Sequence, residues 1–134
     1  MKKIIFCFLV TVVMSCGKQS EIHKQIANSD SLVINFNQQG SNIIDKTIIT
    51  TERNAINELS EYIDAPAKTI SLCPMAGNLM FYKKGVLVVD ASFTYDNDSC
   101  REFVLKLGDR VLSTELSGKA SEVLNHLKQG ETFY

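Results

Sequence analysis

A chain of 134 residues suits one domain and is too short for two ordinary ones. Hydrophobic residues make up 45% of it and charged residues 22%, near the globular average, and the mean hydropathy of +0.01 is raised by the N-terminus. The formal charge of -1 becomes -3 without Lys2 and Lys3, as 14 basic residues fall to 12 against 15 acidic ones; that balance gives neither a basic stripe for nucleic acid nor an electrostatic hold on anionic lipid.

The chain opens on Lys2 and Lys3, followed by the apolar run from Ile4 to Met14, broken only by Thr11. A spanning helix needs about 20 apolar residues to cross about 30 Å of hydrocarbon. The shorter run therefore reads as the h-region of a signal peptide behind a positive n-region. Val13-Met14-Ser15-Cys16 resembles the lipobox of bacterial lipoprotein precursors, with an aliphatic, a variable and a small residue before the cysteine. The resemblance covers these sixteen residues. It implies a diacylglyceryl group on the Cys16 thiol, cleavage between Ser15 and Cys16, and a membrane attachment through acyl chains. Each buried CH₂ contributes about 0.8 kcal/mol, so one chain is marginal and two or three hold stably. An ordinary secretory signal leaving Cys16 free is the alternative. The lipoprotein reading places the protein in the bacterial cell envelope. Gly17 in place of an aspartate leans toward the outer membrane in a Gram-negative cell.

Past the cysteine, residues 16–30 are polar without a sustained period and read as a lipidated Cys16 followed by a tether. Residues 31–134 then read as one folded domain. Leu32, Ile34 and Phe36 alternate with polar neighbours as in a strand, the Gln38–Asn42 cluster turns the chain, and Ile43–Thr50 forms a second strand. Thr51 suits an N-cap for a helix whose Ala55, Ile56, Leu59, Tyr62 and Ile63 form one apolar stripe, stopped by Pro66. Thr69–Cys73 is expected to extend as a short strand. Leu79–Tyr82 makes another, turned by Lys83-Lys84-Gly85 into a long strand with Leu87, Val89, Ala91, Phe93 and Tyr95 at alternate positions. Turn residues from Asp96 to Ser99 break it. Phe103, Leu105 and Leu107 alternate again, Gly108-Asp109 signals a hairpin, and Val111–Leu116 returns. Ser117 caps a last helix that Gly130 closes. The class is α+β, an antiparallel β-meander sheet with two helices in the order ββαβ(β)ββα, helices on one face. In layout and leader the chain is similar to small envelope lipoproteins of Bacteroidota type, a resemblance that implies no activity.

Four cysteines stand at 7, 16, 73 and 100. Cys7 leaves with the leader and lipid consumes the Cys16 sulfur, so Cys73 and Cys100 remain together in an oxidising compartment and are expected to form a disulfide. The loop closed between them, 28 residues counting both ends, corresponds to about 3.5 kcal/mol of chain entropy. Separate buried thiols, or a metal-binding or reactive thiol, are the alternatives. A C-x-x-C motif is missing, and zinc would need two more ligands with only His23 and His126 on offer besides carboxylates.

Catalytic constellations are weak. The two histidines sit in a tether and a surface helix, a poor basis for nucleophilic catalysis. Asp90, Asp96, Asp98 and Glu102 gather around the end of the long strand, where solvated turn acids are expected rather than an acid–base pair. The Asp96-Asn97-Asp98 triplet lacks the glycine and distant glutamate of an EF-hand. Asn97-Asp98-Ser99 matches a glycosylation pattern that has no machinery in a bacterium. Cys73-Pro74-Met75-Ala76-Gly77 reads as a connection between strands, with a disulfide-stapled binding loop as the sharper alternative. Phe81, Tyr82, Phe93, Tyr95 and Phe103 are expected in the core. The function expected is that of a lipid-anchored envelope protein with a binding or structural role towards another envelope protein, needing no cofactor or metal. The rival readings are a small hydrolase using carboxylates near Asp96, and a small-ligand carrier.

Overall fold

The computed structural model describes residues 20–95 and 97–133. Cys16 and the leader fall outside these residues, as does Asp96.

Helix α1 (Glu21–Ile26) comes first, where a tether was expected. Ser20 caps it by accepting from His23 N at 3.1 Å, and Ile22 and Ile26, one turn apart, are buried in the core. The chain after it is also bound down. Ser29 is fully buried, its carbonyl accepts from Arg53 Nη1 at 2.7 Å, and Asp30 N donates to Tyr82 O at 2.9 Å. The folded unit thus includes residues from Ser20 onward and does not begin at residue 31.

Strands β1 (Ser31–Asn37) and β2 (Ile44–Thr50) pair as an antiparallel hairpin. Helix α2 (Arg53–Ile63) starts later than expected: Glu52 is its N-cap, and the Thr50 hydroxyl accepts from Glu52 N at 3.1 Å. Thr51 is left outside the helix. Ala55, Ile56, Leu59 and Ile63 are buried along one stripe.

Strands β3 (Gly77–Lys83), β4 (Val86–Thr94), β5 (Glu102–Leu107) and β6 (Arg110–Glu115) run as a meander of antiparallel neighbours. Lys84 and Gly85 both take positive φ, 50° and 77°, which joins β3 to β4 by the tight turn whose twist matches the strands. A short 3-10 turn, Asp98–Cys100, separates β4 from β5. Helix α3 (Gly118–Lys128) closes the fold, capped by the Ser117 hydroxyl on Ala120 N at 3.1 Å.

The sheet order β2-β1-β3-β4-β5-β6 inserts the first hairpin beside β3 and leaves β2 and β6 at the edges. The α+β class and the meander agree with the sequence reading; among the described residues the α-helices number three rather than two, and Thr69–Cys73 joins no sheet. Cross-strand register lines up Ile34, Leu79, Ala91 and Leu105 on one face, and Phe36, Gly77, Phe93 and Phe103 in the next row. With the buried stripes of the three helices these residues form one core. Phe36 meets Phe93 edge-on, ring centroids 5.7 Å apart, and Tyr95 stacks on Phe93 at 5.9 Å. Lys46, on edge strand β2, reaches the C-terminal carbonyls of Leu127 and Lys128, both at 3.0 Å, where a cation suits the end of α3.

Candidate functional site

The connection from α2 to β3 first runs beside β6. Glu115 N donates to Pro66 O and Lys68 N to Ser113 O, each at 2.9 Å, and Ala67 bridges Thr114. From Thr69 the chain departs from that edge, passes Glu102 at the start of β5, meets Cys100, and returns to Gly77 in the middle of the sheet.

Exposure along this crossing alternates with period two, the signature of an extended chain. Ile70, Leu72 and Pro74 are exposed, while Ser71, Cys73 and Met75 are half-buried. Every inward residue is tied. Ser71 N donates to Glu102 Oε1 and Oε2 at 3.1 and 3.2 Å, and the Ser71 hydroxyl donates to Oε1 as well. Cys73 is bonded to Cys100, with Cα atoms 5.8 Å apart. The Met75 carbonyl accepts from Asn37 Nδ2 at 3.3 Å, and Ala76 N donates to Phe93 O at 2.8 Å. The outward residues are all apolar, and Leu72 is fully exposed at 102%. The main chain of Ile70 and Leu72 makes no hydrogen bond to any described residue.

Glu102 holds this arrangement from below. Its neighbour Phe103 faces the core, so the pleat turns Glu102 to the opposite face, beneath Ser71. The expected solvated turn acid is in fact fully buried, since the crossing segment covers it. Burial pushes its carboxyl up, but hydrogen bonds from Ser71 and from the Ser113 hydroxyl at 2.7 Å, with the nearby Lys68 ammonium, outweigh that and hold it below the usual glutamate value. An ionised carboxylate whose oxygens already accept several donors is a weak base and a poor acid. It braces; it is not poised for proton transfer. Gly77 ends the crossing because nothing larger fits: a Cβ there would lie 2.0 Å from the Asn35 carbonyl oxygen and 2.6 Å from Phe93 Cζ.

The remaining expected site residues are dispersed. Asp90, exposed on β4, accepts from Asn78 Nδ2 at 2.8 Å, extending a row of bonds that joins Thr47 to Asn35 and Asn35 to Asn78 across the open face. Asp98 pairs with Arg101 at 3.2 Å on the surface. Asn97, the first residue of the glycosylation match, caps the 3-10 turn by accepting from Ser99 N at 3.1 Å. His23 lies on α1, whereas His126 lies on α3 between Glu122 and Glu131. No group of three His, Cys, Asp or Glu among the described residues could hold a metal ion. Phe81, Phe93 and Phe103 are fully buried as expected; Tyr82 and Tyr95 are only half-buried. The Tyr62 hydroxyl, pushed up to about 12 by burial and by its hydrogen bond to Glu58, stays protonated at neutral pH and lines a shallow 570 Å³ depression between α2 and α3.

Sequence reasoning named Cys73 and Cys100 but missed Ile70, Leu72 and the bracing role of Glu102. The available signal is the alternation Ile70-Ser71-Leu72-Cys73, which in the sequence reads as a short extended strand. Compared with known proteins, the chain matches no protein family, no curated protein and no solved structure.

Proposed function

We propose that the protein is a lipid-anchored component of the bacterial envelope that acts without catalysis, docking another envelope protein through the segment 69–76. The observation that carries this reading is Leu72, a fully exposed apolar side chain on a chain segment tied at every second residue. Exposing a leucine gives up about 2 kcal/mol of burial. Ordering the backbone beneath it adds roughly 1 kcal/mol or more per residue. Both costs are offset when a partner covers the side chain, and a segment ordered in advance loses less entropy on binding.

The anchor rests on the sequence from Lys2 to Cys16. No helix among the described residues is long and apolar enough to cross a membrane. A lipid on Cys16 would supply the attachment, with the residues before Ser20 left to separate it from the fold. Two experiments test the reading. Cys16→Ala should leave unprocessed or released protein on fractionation; unchanged mobility and membrane content would refute lipidation. Capture from detergent-solubilised envelopes should recover a partner with the wild-type protein and not with Leu72→Asp. Equal recovery by both would refute docking through this segment.

A further inference from the structure

We infer that the braced segment is presented as a substrate-like strand, and that the partner it fits is an endopeptidase with an apolar specificity pocket, which it inhibits with Leu72 as the inserted residue. The inference rests on the docking role proposed above and names its partner. Three observations converge. First, a peptidase cleft reads an extended chain through main-chain hydrogen bonds at alternate residues and pockets for the side chains. Ile70 and Leu72, two apart and so facing one edge of the extended chain, make no main-chain bonds to described residues, whereas Ser71 N, on the other edge, is bound to Glu102. The edge a cleft would pair with is free, and the edge it would leave alone is occupied by the scaffold.

Second, the side chain offered is of one kind. Leu72 is fully exposed, flanked by exposed Ile70 and Pro74, with no charged residue between Thr69 and Ala76. Such a stretch fits an apolar slot and has nothing for an acidic one.

Third, both sides of the Leu72–Cys73 peptide bond are held independently. On the N-terminal side Ser71 is bound by the Glu102 carboxylate, and on the C-terminal side Cys73 is bonded to Cys100. Hydrolysis there would add one water, leaving a carboxylate on Leu72 and an amine on Cys73. Both new ends would stay where they were, because neither anchor depends on the bond being cut. An ordinary substrate separates on cleavage and frees the enzyme. This segment keeps the cleft occupied before and after the cut, which turns a substrate-like strand into an inhibitor.

The test is inhibition by the full-length chain, oxidised, of three purified serine endopeptidases: a chymotrypsin with an apolar pocket, a trypsin with an acidic pocket and an elastase with a small one. Wild-type protein should inhibit the chymotrypsin at stoichiometric concentration, and Leu72→Gly should weaken that about 100-fold, as for loss of a buried anchor at an interface. Leu72→Lys should transfer inhibition to the trypsin. Because residue 72 is fully exposed, these variants keep the wild-type melting temperature, which verifies that they fold. Rapid turnover of the wild-type chain at residue 72, or no inhibition by it of the chymotrypsin, overturns the inference. If Leu72-dependent capture of an envelope protein persists without inhibition, the docking reading survives and the peptidase assignment falls. If capture fails as well, both fall.

Discussion

Replacing Glu102 by glutamine keeps the shape of the brace and removes its charge. In the wild-type protein the two carboxylate oxygens accept from Ser71 N, the Ser71 hydroxyl and the Ser113 hydroxyl. The variant can keep its carbonyl oxygen on Ser71, and its amide then faces Ser113, whose hydroxyl can turn to accept. What is lost is charge assistance, about 1 kcal/mol for each of the two bonds from Ser71, or about 2 kcal/mol in all. With about 2.1 cal/mol/K of unfolding entropy per residue, that lowers the melting temperature by about 8 °C. Glu102→Ala leaves the Ser71 and Ser113 donors without their acceptor and takes a nearby negative charge from Lys68, a larger loss of about 3 to 5 kcal/mol.

The pH dependence has a definite sign. The folded protein holds the Glu102 carboxyl below its ordinary value, so the unfolded chain binds the proton more readily and stability from this group rises with pH. The advantage of wild type over Glu102→Gln is fully present above the unfolded value of about 4.3, and it shrinks as pH falls through the lower folded value. Thermal melts of both proteins at several pH values from about 7 to 3 measure it, and amide exchange at Ser71 reports the brace locally. Equal melting temperatures at neutral pH with unchanged Ser71 protection would refute the reasoning, as would a gap that persists undiminished in acid.

Cys73→Ser and Cys100→Ser should each cost about 3.5 kcal/mol in denaturant titrations, since either change opens the same loop; clearly unequal losses would mean the two sulfurs act separately. Gly77→Ala should destabilise by about 3 kcal/mol, because the added methyl meets the Asn35 carbonyl and the Phe93 ring, and near-neutral behaviour in the same titration would contradict the close approach of β1 and β3. Ile26→Ala should cost about 2 to 4 kcal/mol if α1 is part of the fold. A tether residue would show almost no effect.

The strands were legible because their alternation is one-sided: Leu32 to Phe36 and Val89 to Phe93 each place every second residue in the core, although Leu87, at the irregularity in the β3–β4 pairing, is exposed. Both long helices were legible through their apolar stripes, and Ser117 was recognisable as a cap. Helix α1 was hidden because two isoleucines over six residues make too short a period to separate from a polar linker. Glu102 was hidden for a different reason. A glutamate after a turn is ordinarily solvated, and what buries this one is a segment about thirty residues earlier that supplies its donors. Residues 69–73 have the alternation of a strand without a strand partner; period two reports an extended chain and says nothing about whether a sheet or a set of tethers holds it. The Cys73–Cys100 pair was legible because these are the two cysteines of the stretch read as the folded domain, whereas the exposure of Leu72 follows from the direction Ser71 and Cys73 take, which no local pattern encodes.

The docking role of residues 69–76 is tested most directly by photocrosslinking in intact cells, with a photoreactive residue at position 72 and, as control, at exposed position 61 on α2. The account predicts one discrete protein adduct from position 72 and none from position 61. Absence of any protein adduct at 72, or the same adducts from both positions, would contradict it.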